Sequence, residues 1–256
     1  MLRLDCAYLS NAVTCREWTE DSMLIAPSAK DPTTLTYLTL RKAVGGIAVL
    51  LPFVMAIPWW LLRDHTLQSS ISDYYYTGMR NLFVGSLCAI AMFLLCCRGF
   101  DRKDEIAGVF SALCALGVAF FPTTPASPSP FQKEVGWAHY GFAALLFLTL
   151  AYFCLVLFKM TAANRTLTRR KLQRNKVYTV CGWVILASIL AIAMTRIFGL
   201  QYSVLGVGPV FFFETTSLLA FGTAWLTKGE TFLKDEVVQP SSDPAAVVTV
   251  HQVGTA

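Results

Sequence analysis

Residues 137–158 read WAHYGFAALLFLTLAYFCLVLF, and this stretch decides the fold class. His139 is its one charge-bearing candidate. As a helix rising about 1.5 Å per residue it would span about 33 Å, matching a hydrocarbon core of about 30 Å. Five further stretches have the same character: 43–62, 81–97, 106–122, 177–197 and 205–226. The second and third spans in chain order, 81–97 and 106–122, are short and reach the usual length with their flanking residues. Strands are excluded, because open strands leave backbone groups unpaired in lipid and barrel strands alternate polar with apolar residues. The expected fold is an all-α, polytopic bundle of six membrane-spanning helices.

Composition agrees. Of 256 residues, 55% are hydrophobic and only 14% charged, and the mean hydropathy is +0.54. Soluble domains carry about 25% charged residues. This excludes a soluble enzyme, a disordered chain and a fibrous repeat. Three regions are expected: an N-terminal segment 1–40, cytoplasmic and partly disordered, a transmembrane domain 41–228, and a disordered cytoplasmic tail 229–256 rich in Pro and Ser near its start. The first segment lacks the apolar run of a signal peptide, and Met23 is an alternative start to Met1.

Positive charge sets the orientation. Five Lys or Arg lie in the first 42 residues, three in 98–105 (Arg98, Arg102, Lys103), seven in 159–176 and two after span six (Lys228, Lys234). The other side holds four: Arg63, Arg80, Lys133 and Arg196. By the positive-inside rule both termini face the cytoplasm. The basic 159–176 loop lacks interleaved aromatics, so it reads as topology plus contact with anionic membrane lipid, not as a nucleic-acid surface. The eight cysteines fall in spans (Cys88, Cys96, Cys97, Cys114, Cys154, Cys181) or in the first segment (Cys6, Cys15), with no CxxC. They read as small apolar packing residues.

Ionisable groups inside lipid are costly, so their positions carry information. Glu214 is the one acid within a span and His139 the one histidine. Both sit near the outward ends of their helices. The loop between spans one and two, which begins Arg63-Asp64-His65, brings Asp73 and Arg80 to the same side, and Arg196 ends span five there. Ser72 is placed to cap a helix on which Asp73 and Arg80, seven apart, share a face. Tyr74, Tyr75 and Tyr76 suit an interfacial aromatic belt. Ser72, Asp73, Arg80, His139, Arg196 and Glu214 are therefore the candidate site, a polar pocket in the outer half of the membrane. Two carboxylates and two guanidiniums balance, which predicts an ion-pair network, with Arg196 or Arg80 holding Glu214 and His139 bonded to it. Such a pocket would bind a lipid headgroup, a small polar ligand or a protein partner, with no cofactor.

A second chemistry uses the same residues. Asp73, His139 and Glu214 are ligand types for zinc, and a metal-bound water would make the chain a hydrolase. The chain has no HExxH and no HxxxH. GxSxG and GxGD, marks of serine and aspartate intramembrane proteases, are missing too. No pair of broken helices in matching halves marks a transporter. Gly206 and Gly208-Pro209 mark the entry to span six. Gly108 with Ala112, and Gly141 with Ala144, read as flat patches for helix contact.

The run Ile71-Ser72-Asp73 ahead of a helix, Phe121-Pro122 closing span three and the histidine opening span four resemble a bacterial six-helix membrane family of unknown function, distantly similar to the DRAM-like eukaryotic membrane proteins. The resemblance covers about residues 41–228. It implies a bacterial plasma-membrane protein with the motif side outward, and it brings no reaction or cofactor. A weaker likeness is to the alkaline ceramidase and adiponectin-receptor superfamily, which sets membrane Ser, Asp and His around zinc. That likeness implies a metal-dependent hydrolase of lipid amides or esters. The chain departs from it in having six spans, not seven, and no HxxxH in the last.

Overall fold

The computed structural model describes residues 32–63, 65–96, 102–161, 168–200, 202–204 and 207–234, with side chains from residue 36 onward. Expectations placed on Met23 and the first segment, on Cys6, Cys15, Asp64, Cys97, Arg98 and Gly206, and on the tail past residue 234 lie outside these residues. Among the described residues the chain is all-α. Six helices follow one another: α1 (Pro32–Leu62), α2 (Arg80–Cys96), α3 (Arg102–Phe120), α4 (Pro130–Leu155), α5 (Arg169–Ile197) and α6 (Pro209–Lys228), with short 3-10 turns at Ser72–Tyr76 and Leu157–Lys159.

Four of them, α1 and α4 to α6, are long and apolar enough to cross a membrane. The chain is thus built as an integral membrane protein. α2 is apolar but only 17 residues long, and the first turn of α3 is made of Arg102, Lys103, Asp104 and Glu105.

Most helices outrun their apolar cores, because caps and not hydropathy set helix ends. α4 starts at Pro130, seven residues before the apolar run. Ser129 accepts from the Gln132 N–H, the Gln132 side chain answers to the Ser129 N–H, and proline fills the first helical position. Thr168 likewise caps α5 through the Lys171 N–H at 3.2 Å. α1 begins at Pro32, so the boundary expected after residue 40 falls inside a helix. Arg41 does not end the helix: its guanidinium lies over the Tyr37 ring at 4.0 Å, one turn earlier.

Each helix packs on its two chain neighbours, and α6 returns to pack on α1, so the six form a closed ring. The return contact is a glycine crossing. A Cβ at Gly45 would lie 2.9 Å from the Gly222 carbonyl, and one at Gly222 would lie 2.8 Å from the Gly45 carbonyl. Only glycine permits this approach. Gly108 on α3 lies close to the Leu94 carbonyl and Ala112 is fully buried, as a helix contact requires. Gly141, expected to make a similar patch with Ala144, has open space where its Cβ would be, and both residues are exposed. The five described cysteines are free thiols, and Cys114, Cys154 and Cys181 are buried in the packing.

At one end of the ring three connections meet. The Phe211 N–H, left over from the first turn of α6, donates to the Ser69 carbonyl at 3.1 Å. The Tyr76 hydroxyl donates to the Thr123 carbonyl at 2.5 Å. At the other end, the Lys171 and Lys228 ammoniums both donate to the Phe158 carbonyl.

Candidate functional site

The segment that opens the site is not the helix expected from Ser72. Residues Ser72–Tyr76 form a 3-10 turn that stops at Thr77, whose backbone is extended. The Thr77 hydroxyl accepts from the Met79 N–H at 3.1 Å, and α2 begins only at Arg80. Asp73 and Arg80 therefore sit on different elements and share no helix face. Ser70, not Ser72, performs the capping: its hydroxyl accepts from the Asp73 N–H at 3.1 Å. Tyr74 anchors the turn. It is fully buried, edge-on to Trp59, and so leaves the expected interfacial belt, while Tyr76 stays 47% exposed. Burial pushes the Tyr74 and Tyr76 phenols above their ordinary range, and for Tyr76 the neighbouring Tyr75 and Asp73 add to the rise.

The expected ion-pair network is absent among the described residues, and its members find other partners. Glu214 accepts the Ile71 N–H on Oε2 at 2.6 Å. The backbone at the head of the 3-10 turn does what a guanidinium was expected to do. Asp73 accepts from the Ser69 hydroxyl at 2.5 Å. Arg80 turns outward to the Tyr75 hydroxyl at 2.6 Å, its guanidinium 4.3 Å from that ring. The Arg196 guanidinium lies 5.6 Å from the Tyr140 ring. An aromatic ring lies beside each guanidinium, and the acids bond to backbone and hydroxyl instead.

His139 is 2% exposed, and its Nδ1 lies 2.7 Å from the Phe121 carbonyl. A carbonyl only accepts, so Nδ1 carries the hydrogen, and the Val118 carbonyl also acts on the ring.

These groups border one pocket of about 530 Å³ between α4, α5 and the first turns of α6. Ser72, Thr123, His139, Tyr140, Arg196 and Glu214 form its polar end. Arg80 is not among its lining residues. Asp73 is not either, though it acts electrostatically on both His139 and Glu214. Thr123 and Tyr140 were not singled out from sequence. The Thr123 hydroxyl donates to the Tyr140 hydroxyl at 3.1 Å, joining the α3–α4 connection to α4. Gly136 lets that connection sit close, since a Cβ there would overlap the Thr124 side chain. The pocket is within the usual size of small-molecule sites, about 300–1,000 Å³, and has their usual make-up of apolar walls with a few polar groups.

A second cavity of about 60 Å³ lies on the ring axis, lined by Leu51, Leu87, Leu146 and Leu218 and bordered by Glu214. Glu214 therefore stands in the wall between the two. For a metal, no group of three or more His, Cys, Asp or Glu side chains gathers closely enough to hold an ion among the described residues. No family model, curated protein or solved structure matches the chain.

Proposed function

We propose that this chain is a six-span membrane protein with both termini in the cytoplasm, and that its outward pocket binds a lipid headgroup or another small polar ligand. The plasma membrane of a bacterium is the setting we infer from the resemblance to the six-helix bacterial family. The observation that carries the binding reading is the pocket of about 530 Å³ with hydroxyl, imidazole, carboxyl and guanidinium groups collected at one end. Such groups cost free energy inside a membrane unless they meet a partner. Here they are held by backbone and aromatic contacts that leave the Arg196 fork for something else.

Native mass spectrometry of the intact protein tests this reading. The parent should carry a discrete non-protein adduct that disappears when His139→Phe and Glu214→Leu remove the polar lining. Identical spectra from parent and variant would sink the proposal. The metal-dependent hydrolase is the alternative, and elemental analysis of the same sample decides it. Near-stoichiometric zinc, lost in His139→Ala, would put that reading first.

A further inference from the structure

The pocket has a side entrance. Trp137 on α4 and Ile197 on α5 form its two lips, and each is 74% exposed. Both helices carry large exposed apolar side chains beyond those lips: Leu145 and Leu148 on α4, Trp183 and Leu190 on α5. Surfaces of that kind on a membrane bundle face hydrocarbon, so the mouth opens towards lipid.

The interior continues the same chemistry. Ala143 and Ala144 on α4 face Ile189, Ile192 and Ala193 on α5 across an apolar slot. α4 and α5 meet closely at their other ends, where a Cβ at Gly182 would run into Leu155 and Cys154. Towards the site the small alanine side chains leave the space between them open. At the head of the slot stands Arg196, the one Lys or Arg among the lining residues. Deeper lie Glu214, which accepts hydrogen bonds, and His139 with Nε2 unused by the Phe121 bond.

The geometry points to a specific ligand class: a single-chain amphiphile with an anionic head, entering from the membrane between α4 and α5. This inference rests on the binding reading above and adds what is bound and by which route. The chain occupies the alanine slot. The anionic group sits on Arg196, whose planar fork matches a phosphate or carboxylate. A hydroxyl or amine of the head donates to Glu214 or to His139 Nε2. The neighbouring apolar cavity beside Glu214, about 60 Å³, is too small to take a second acyl chain.

The test uses the full chain in a mild uncharged detergent, titrated with defined probes and read by native mass spectrometry. Lysophosphatidylglycerol should bind one to one. Two-chain phosphatidylglycerol and glycerol 3-phosphate should each bind at least about tenfold more weakly, a difference of about 1.4 kcal/mol. Ala193→Trp should fill the slot and lower lysophosphatidylglycerol binding at least about tenfold. Ala144→Phe, at an exposed position near the mouth, serves the same purpose if Ala193→Trp does not fold. Arg196→Gln should weaken lysophosphatidylglycerol but not an uncharged monoacylglycerol. Glycerol 3-phosphate binding as tightly as the lysolipid would overturn the chain slot and leave the headgroup reading standing. Equal binding of the two-chain lipid would overturn the single-chain claim alone. Full binding by folded slot variants would overturn the location. If none of the probes binds, this inference and the headgroup reading both fail.

Discussion

Replacing Glu214 with alanine should unfasten the α1–α2 connection from α6. The Ile71 N–H, on a residue 4% exposed, has the Glu214 carboxyl as its acceptor at 2.6 Å. Stranding a buried N–H costs about 1–3 kcal/mol. The lost Cγ methylene adds about 0.8 kcal/mol where it packs against apolar neighbours. A total loss of about 2–4 kcal/mol follows, mostly from the orphaned donor. Glu214→Gln keeps a carbonyl oxygen in place and should lose less than about 1 kcal/mol, the worth of one neutral hydrogen bond. Arg196→Ala removes an exposed side chain and should change stability by no more than about 0.5 kcal/mol. Reversible unfolding in mixed micelles, followed by far-ultraviolet circular dichroism, gives all three values and the Glu214→Ala/Arg196→Ala double variant. The single losses should add. A coupling above about 1 kcal/mol, or a glutamine variant as damaged as the alanine variant, would mean that charge pairing and not the backbone donor holds this carboxyl.

Four further outcomes follow from the same structure. With impermeant maleimide on intact cells, Ser127→Cys should label above the background of the unmodified chain and Lys103→Cys should not; the reverse pattern would invert the topology. Gly222→Leu should destabilise by about 1–3 kcal/mol or more, since even its Cβ runs into Val49 and the Gly45 carbonyl. Gly141→Ala, with open space around its Cβ, should be close to neutral in the same unfolding assay. Stability should fall as pH rises above about 10, the ordinary tyrosine value: the folded chain holds the protons on Tyr74 and Tyr76 longer than the unfolded chain, and Tyr74→Phe should flatten that slope.

The apolar runs made the helices legible, and four of them, 137–158 included, lie in helices long and apolar enough to cross a membrane. What they mark is the stretch of helix that suits lipid, which is shorter than the helix. The further turns come from Ser129-Pro130 with Gln132 and from Thr168, polar capping patterns that lie outside the apolar runs. The polar end was legible in His139, Arg196 and Glu214, because each is expensive where it stands. Their partners were not legible. A backbone N–H such as that of Ile71 belongs to every residue but proline, so no letter announces it as an acceptor's partner. Arg80 misled because counting charges presumes that they meet, while a tyrosine one element away takes the guanidinium as well. The slot was invisible for a different reason. Ala143, Ala144 and Ala193 look like any packing alanines, and only the fold, which sets all three around one pocket, turns missing volume into a cavity.

The closure of the ring by α6 onto α1 has a consequence for how the protein is made. Gly45 and Gly222 are 177 positions apart in the chain. At about 5–20 residues per second, the ribosome takes roughly 10–35 s to travel between them. Throughout that interval the glycine face of α1 has no mate, and Ile71 has no carboxyl to bond. The first helix must wait in the bilayer, or in the care of the insertion machinery, until the last one arrives. Premature termination anywhere before residue 222 would therefore harm the beginning of the molecule as much as its end. A quality-control protease that recognises unmated small-residue helix faces would meet α1 first.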